Sequence, residues 1–200
     1  MRPRPFFLCA LLLLGAAAFA QDAERPNGLL LVAKPGLEDP RFRETVILVT
    51  QTPDAQTVGV ILNRPIPEKL SDLIADEALA RNYSDTVFSG GPVMGRTIVA
   101  LYRSESAPQT PAFHVLRDLY LTMHPAAIEP LLAQPGGRFR LYAGFSGWAP
   151  RQLEDEMERD SWYVLPATEE LVFRKDTSGM WRELLEKALG KRVRGDILDS

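Results

Sequence analysis

The sequence is poor in the residue types on which many catalytic and metal sites depend. It contains one cysteine, Cys9, and two histidines, His114 and His124, among 200 residues. A single cysteine cannot close a disulfide within the chain, and cysteine-ligated zinc sites need several such residues. His114 falls inside a predicted strand, and we interpret both histidines as ordinary packing residues. We therefore expect no metal site and no cofactor, and catalysis by histidine has few residues available.

Phosphate-binding and hydrolase motifs are also missing. The chain contains no Gly-x-x-x-x-Gly-Lys-Ser/Thr and no Gly-x-Gly-x-x-Gly after a strand. Ser146 comes close to a nucleophile elbow, but Trp148 stands where that motif has its last glycine. Gly90 and Gly91 could present backbone N–H groups to an anion, although a turn that only glycine tolerates explains them at least as well. The sequence thus leaves a nucleophilic Ser146 as a minor alternative.

The first twenty residues read as a secretory leader. Two arginines precede the uncharged run Phe6–Leu14, and small residues at Ala18 and Ala20 come before Gln21. This order is typical of a signal peptide cleaved after Ala20. The apolar stretch is shorter than the roughly 20 residues of a membrane-spanning helix, so an uncleaved anchor and an unprocessed cytosolic start are less favoured. We expect a periplasmic or secreted protein that meets a membrane only during export.

The charge balance argues against nucleic acid as a partner. Without the two arginines of the leader, 21 basic residues face 26 acidic residues, a net charge of −5, and the basic residues form no dense stripe. Proteins that bind duplex DNA carry a basic face. Cleavage also removes Cys9, so the mature chain has no thiol nucleophile. We expect no nucleic-acid partner, and the sequence leaves the protein partner and the oligomeric state open.

Short apolar runs bounded by proline or glycine predict a series of strands. Helical spacing predicts one helix over Glu68–Arg81, a short helix from Pro125, an acidic helix from Pro150 to about Arg159, and a last helix from Met180 to Leu189. The predicted strands are Gly28–Ala33, Glu44–Thr50, Thr57–Asn63, Thr86–Ser89, Thr97–Arg103, Phe113–Leu116, Leu119–Thr122, Arg138–Ala143 and Trp162–Leu165. Adjacent strands with scattered helices indicate the α+β class.

The chain divides into four segments by composition. Residues 1–20 form the leader, and residues 21–27 are polar and read as a flexible lead-in. Residues 28–189 hold all the predicted strands and helices and form one domain. Residues 190–200 are charged and are expected to fray.

Carboxylates cluster in the predicted acidic helix, at Glu154, Asp155, Glu156, Glu158 and Asp160. Glu154 and Glu158 stand one turn apart, which allows a metal or acid–base pair. The start of a helix favours negative charge, however, and Asp155 can pair with Arg159 four residues on. We therefore favour a solvated helix face over a catalytic pair.

Four segments taken together resemble the YqgE/AlgH family. They are Gly36–Phe42 followed by Val46-Ile47, Gly59–Pro65, Gly90–Val93, and Gly144–Glu156. In this order they span about Asn27 to Leu189. The resemblance implies an α+β fold in which a bent mixed sheet forms a pseudo-barrel with several flanking helices. The family has no established reaction and no agreed catalytic residues. Some members are labelled transcriptional regulators, but this chain has no helix-turn-helix pattern and is acidic, and its leader departs from the usual cytosolic pattern of the family.

The family motifs supply a candidate binding site and no catalytic residue. If the corners of the sheet converge, they form a polar cleft walled by Phe42 and Trp148, with a glycine-rich loop leading into the acidic helix. The candidate residues are Asp39, Phe42, Asn63, Arg64, Gly90, Gly91, Ser146, Trp148, Gln152 and Glu154.

We interpret the protein as a non-enzymatic binding or scaffolding protein of the cell envelope that acts through protein contacts. One alternative is a small-ligand hydrolase that uses carboxylates or Ser146 in the glycine-rich cleft. The other is a DNA-linked regulator. A concave site shared by Ser146, Asp39 and Glu154 would favour the hydrolase.

Overall fold

The computed structural model describes residues 27–133 and 138–198. Within these residues the chain forms nine strands and six helices. The strands are β1 Leu29–Ala33, β2 Val46–Gln51, β3 Thr57–Ile61, β4 Phe88–Ser89, β5 Val93–Arg103, β6 Phe113–Leu116, β7 Leu119–Thr122, β8 Phe139–Trp148 and β9 Trp162–Pro166. The helices are α1 Leu70–Leu73, α2 Glu77–Ala80, α3 Pro125–Ala133, α4 Gln152–Glu158, α5 Glu169–Val172 and α6 Met180–Leu198.

The strands form one mixed sheet, which confirms the predicted fold class. The order is β6-β7-β5-β8-β3-β2-β1-β9, with every neighbouring pair antiparallel, and β4 pairs with β8 in parallel. The sheet is bent but not closed. The Gly28 N–H, just before β1, donates to the Val115 carbonyl oxygen in β6 at 2.8 Å, although five strands lie between β1 and β6 in the sheet. The bend therefore brings distant strands together, as the resemblance implied.

The bend occurs along β8, which changes partner along its length. Its first half pairs with β5, and Ser146 to Trp148 pair with β3. Gly144 adopts a φ of +71°, a backbone conformation that favours glycine. The expectation of a strand that ends at Ala143 before a glycine-rich loop is thus wrong, because the glycines turn the strand without ending it.

The predicted helix over Glu68–Arg81 is also wrong, since the structure contains two four-residue helices, α1 and α2. Ile74 is extended at the end of α1, with φ of −119° and ψ of 148°. The Asp76 carboxylate then accepts hydrogen bonds from the backbone N–H groups of Ala78 and Leu79, both at 3.0 Å. This side chain caps a new helix and so competes with continuation of the first one. The acidic helix begins at Gln152 and not at Pro150, after Arg151 with a φ of +69°.

Alternating side chains of the sheet enter different apolar clusters. Leu30 and Val32 of β1 face a large cluster that includes Met180 and Leu184 of α6, and the Trp181 indole N–H donates to the Ala33 carbonyl oxygen at 2.7 Å. Leu31 and Ala33 face a smaller cluster that includes Trp148, Leu153 and Trp162. The smaller cluster forms the floor of the site described below.

Helix α6 begins at Met180 and runs to Leu198. Its backbone is therefore helical through most of residues 190–200, the tail that we expected to fray. The fraying of that tail stays a prediction. No helix among residues 27–133 and 138–198 combines the length and the apolar character that crossing a bilayer requires. The leader and most of the lead-in, residues 1–26, lie outside the described residues.

Candidate functional site

A cleft of about 740 Å³ opens where the turn after β1 faces α4 and the start of β9. The first wall is formed by residues 34–39 with Arg41 and Phe42. The second wall is formed by Gln152, Glu156 and residues 159–163. Two distant stretches of sequence thus build one concave surface, and both contain residues of the quoted family motifs.

Aromatic rings form the floor of the cleft. Phe42 stacks on Trp148 with ring centroids 5.8 Å apart, and it meets Trp162 edge-on at 5.9 Å. Both tryptophans are buried, at 3% and 4% exposure. Such pairs add about 0.5–1.5 kcal/mol beyond the burial of their area. Phe42 thus lies in the wall of the cleft, and Trp148 packs beneath it.

Glu156 joins helix α4 to this aromatic floor. One carboxylate oxygen, Oε2, accepts hydrogen bonds from the indole N–H groups of Trp148 and Trp162, each at 3.0 Å. The other oxygen, Oε1, accepts from the Gln152 side-chain amide at 3.1 Å. Hydrogen bonds to an ionised acceptor are among the stronger ones in proteins. The carboxylate therefore fixes both tryptophans and is itself occupied by protein donors.

Lys34 carries a positive charge into the inner part of the cleft. Its side chain is only 10% exposed, and its ammonium group forms an ion pair with Asp160. The ammonium also lies 4.4 Å from the centre of the Tyr163 ring, within the range of a cation–π contact. Burial of a charge is costly unless it is paired, and these two contacts supply that pairing.

Asp39 and Arg41 form a second ion pair at the rim. The Arg41 guanidinium donates to both oxygens of the Asp39 carboxylate, at distances of 2.7 to 3.1 Å. The hydrogen bond from Arg41 holds the pKa of Asp39 below its usual range. Asp39 therefore stays ionised near neutral pH as the partner of Arg41, and it is poorly suited to act as a general acid.

Asn63 and Arg64 hold the loop that carries Asp39 and Phe42. The Asn63 side chain accepts from the Val46 N–H and donates to the Glu44 carbonyl oxygen, both at 2.9 Å. The Arg64 guanidinium donates to the carbonyl oxygens of Arg41 and Arg43. Glu44 adopts a φ of +55°, so the chain turns sharply at this point. These two residues position the first wall of the cleft and do not line it.

Strand β9 leaves a row of backbone groups unpaired beside the cleft. Among the residues that the structure describes, β9 pairs with β1 alone. The Lys34 N–H donates to the Ser161 carbonyl oxygen at 3.0 Å, and in an antiparallel pair such bonded positions alternate. By this alternation the N–H and carbonyl groups of Trp162 and Val164 point away from β1. Val164 is 44% exposed whereas Trp162 is only 4% exposed, so the accessible part of this strand edge lies at Val164, next to the cleft.

Comparison with known proteins decides the family. The AlgH-like family model (DUF179) matches residues 30–192. This chain belongs to the AlgH-like family. A UPF0301 protein of Streptomyces coelicolor is 35% identical over 177 residues, which cover 86% of this chain and 88% of that protein. A UPF0301 protein of Myxococcus xanthus is 34% identical over 155 residues, with 76% and 84% covered.

Solved structures share the AlgH-like fold. A crystal structure of a protein from Corynebacterium diphtheriae aligns with a TM-score of 0.65 at 24% identity, covering 82% of this chain and 87% of that one. The solution structure of the AlgH protein from Pseudomonas aeruginosa aligns with a TM-score of 0.61 at 24% identity, covering 74% and 80%. At this identity the likeness establishes the fold and carries no residue role.

The glycine motif of the AlgH-like chain serves packing. The Gly90 N–H donates to the Ala143 carbonyl oxygen at 2.9 Å, and its carbonyl oxygen accepts from the Ile61 N–H and the Ser146 hydroxyl. A Cβ on Gly90 would lie 2.1 Å from the Gly144 carbonyl oxygen. These contacts explain Gly90 by the close approach of two backbones. The backbone N–H of Gly90 is consequently engaged and is not available to an anion.

Ser146 is fully buried in β8 and does not lie in the cleft. Its hydroxyl donates to the Gly90 carbonyl oxygen at 3.0 Å. Asp39 lines the cleft, whereas Glu154 is exposed on α4 and is absent from the cleft wall. The three residues therefore do not share the concave site that the hydrolase alternative requires.

The sequence-based site is thus divided by the AlgH-like fold. Asp39, Phe42 and Gln152 line the cleft. Trp148 supports it from below, and Asn63 and Arg64 position it. Gly90, Gly91 and Ser146 pack within the sheet, and Glu154 faces solvent.

Three residues of the site were missed by reasoning from the sequence: Lys34, Glu156 and Trp162. Glu156 stood in the acidic cluster, one helical turn after Gln152, and this spacing was the available signal. Lys34 meets Asp160 across a separation of 126 residues. No local pattern points to a pair so far apart in sequence.

Proposed function

We propose that this AlgH-like protein is a non-enzymatic binding protein of the cell envelope. In this proposal it holds an extended segment of another protein along β9, with side chains of that segment in the adjoining cleft. The observation that carries the proposal is the open edge of β9 next to the cleft. The charged groups of the cleft, Lys34, Asp39 and Glu156, already have partners within the protein. The proposed location in the cell envelope rests on the secretory leader expected at residues 1–20. In that location the protein would act as a scaffold that binds other envelope proteins.

The occupied charges support binding over catalysis. Asp39 is held by Arg41, Glu156 by three N–H donors, and Lys34 by Asp160. A general acid or base has to exchange a proton with a substrate, and a nucleophile needs a base within hydrogen-bond reach. Groups fixed by internal partners can instead present a rigid, patterned surface, which is what recognition of a protein segment needs.

The strand edge supports an extended segment as the partner. Exposed edges accept an added strand through backbone hydrogen bonds, while neighbouring pockets select its side chains. Trp162 and Tyr163 belong both to β9 and to the wall of the cleft. A segment added to the outer edge of β9 would therefore run directly beside the cleft. β9 itself carries no charged side chain that would block such an addition.

A proline at Val164 provides the sharpest test. Because the Val164 N–H points away from β1, Val164→Pro removes a donor from the outer edge only, and proline is tolerated at such edge positions. Val164→Ala shortens the same side chain but keeps the N–H. We expect a photo-crosslinker placed at the exposed, cleft-lining Arg159 to give one discrete adduct in cells. The adduct should persist with Val164→Ala and fall about fivefold with Val164→Pro, the loss expected from one missing backbone hydrogen bond.

Thermal unfolding of both variants is the control, and each should melt near the parent protein. An adduct of equal strength in Val164→Pro would show that the edge does not bind the partner. The absence of any adduct at the cleft would contradict the proposal as a whole.

A further inference from the structure

A second cavity, of about 370 Å³, lies on the part of the fold formed by β8 and the segment that follows α5. It shares no lining residue with the cleft described above. Its apolar walls are aromatic: Tyr83, Phe88, Phe139 and Phe173. Ligand sites are typically concave and apolar with a few well-placed polar groups, and this volume is near the lower end of the usual range.

Arg140 is the polar group that distinguishes this cavity. Arg140 is only 8% exposed, although it lines the cavity. The guanidinium donates to the carbonyl oxygens of Val172 and Arg174, at 2.8 and 2.6 Å, and lies 4.6 Å from the centre of the Phe88 ring. No carboxylate of residues 27–133 or 138–190 forms an ion pair with it.

A buried charge without a counter-ion is costly, and arginine cannot escape the cost by losing its proton. The neighbouring Tyr142 has a second buried polar group that lacks a regular hydrogen bond. Its hydroxyl is fully buried and makes no hydrogen bond of normal geometry within the described chain. Burial raises the pKa of Tyr142, and the Arg140 cation opposes that rise, which places the two groups close together. Tyr142 is not among the residues that line the cavity, so Arg140 is the buried charged group that faces it.

The rest of the cavity wall is also basic. Lys175 is exposed and has no ion-pair partner among the described residues. Arg138 pairs with Glu169 at 2.9 Å and lies 5.7 Å from the centre of the Phe173 ring. Asp85 is the one carboxylate in the wall and forms no ion pair with a described residue. Three basic side chains and one acidic side chain therefore surround aromatic rings, in a protein that is acidic as a whole.

We propose that this cavity binds a small organic anion, namely a carboxylate attached to an apolar ring. Arg140 is the counter-ion for the carboxylate, since a guanidinium and a carboxylate match in planar, two-pronged geometry. The aromatic walls receive the ring, and Lys175 adds attraction at the mouth. This site is separate from the cleft and from the edge of β9, so it does not rest on the function proposed above.

The test uses benzoate as the anionic probe and benzamide as its neutral match in size and shape. Titration of the purified protein by calorimetry should show one saturable benzoate site, with benzamide binding about tenfold more weakly or not at all. In amide NMR spectra, benzoate should shift the signals of Arg140 and Val172–Arg174. Inorganic phosphate, an anion without a ring, should bind more weakly than benzoate.

Variants separate the site from the fold. Lys175→Glu reverses an exposed charge in the cavity wall and should weaken benzoate about tenfold. Arg96→Glu reverses an exposed charge outside the wall and should leave the affinity unchanged. Arg140→Lys keeps the charge but loses the planar fork, and it should weaken benzoate if it folds. Equal affinities for benzoate and benzamide, phosphate binding as tight as benzoate, or an unchanged Lys175→Glu protein would each overturn the proposal.

Discussion

Gly91→Ala is expected to lower the free energy of unfolding by about 4 kcal/mol, a large share of the roughly 5–15 kcal/mol by which a domain is ordinarily stable. Gly91 has a φ of +148°, which L side chains rarely adopt. A Cβ at this position would lie 2.3 Å from the Ser146 hydroxyl oxygen and 2.4 Å from the Phe145 carbonyl oxygen. The backbone contact cannot be relieved by a change of rotamer, so β4 and β8 would have to separate.

Gly95→Ala is the matched control, because a Cβ on Gly95 would meet nothing within 4 Å. Urea unfolding of both variants, followed by tryptophan fluorescence, measures the difference. We expect Gly95→Ala to unfold within about 0.5 kcal/mol of the parent protein. A Gly91→Ala protein as stable as Gly95→Ala would mean that the glycine motif does not pack against β8 as described.

Glu156→Ala is expected to lower the free energy of unfolding by about 2–4 kcal/mol. The change leaves the indole N–H groups of the buried Trp148 and Trp162 without their acceptor, and each unsatisfied buried donor costs about 1–3 kcal/mol. The loss should come with a change in tryptophan emission, since both rings would be released from one fixed arrangement. Glu156→Gln keeps a side-chain oxygen and should fall between the parent protein and Glu156→Ala.

Glu154→Ala makes the same truncation two residues away on the exposed side of α4, and it should change stability by no more than about 0.5 kcal/mol. Denaturant titrations of the three variants give the comparison. Equal stabilities for Glu154→Ala and Glu156→Ala would contradict the central role given to Glu156 in the floor of the cleft.

The strands could be predicted because their apolar runs are short, and several of these runs lie next to proline or glycine. The pairing of those strands could not be predicted, since it depends on contacts between distant parts of the chain. β8 shows the difference clearly. Its glycines suggested a loop, yet Gly144 turns the strand at a φ of +71° and lets it continue to Trp148. Glycines that would interrupt an isolated strand can instead bend a strand that has neighbouring strands on both sides.

The site could be predicted only in outline. We expected Phe42 and Trp148 in one cleft region because both belong to the family motifs. In the structure their rings stack on each other. The choice of Glu154 over Glu156 could not be made from helical spacing, since both stand in the same acidic cluster. What separates them is the position of Trp162 on β9, which reaches Glu156 through the tertiary fold.

The most direct test of the account asks where the protein is in the cell, because every proposed contact with an envelope partner requires export. Cells should be fractionated, and the intact mass and N-terminal sequence of the protein determined from each fraction. We expect a periplasmic species that begins at Gln21, the residue after the proposed cleavage site. A full-length cytosolic species that still carries residues 1–20 would contradict it, and would turn the search for a partner to the cytoplasm.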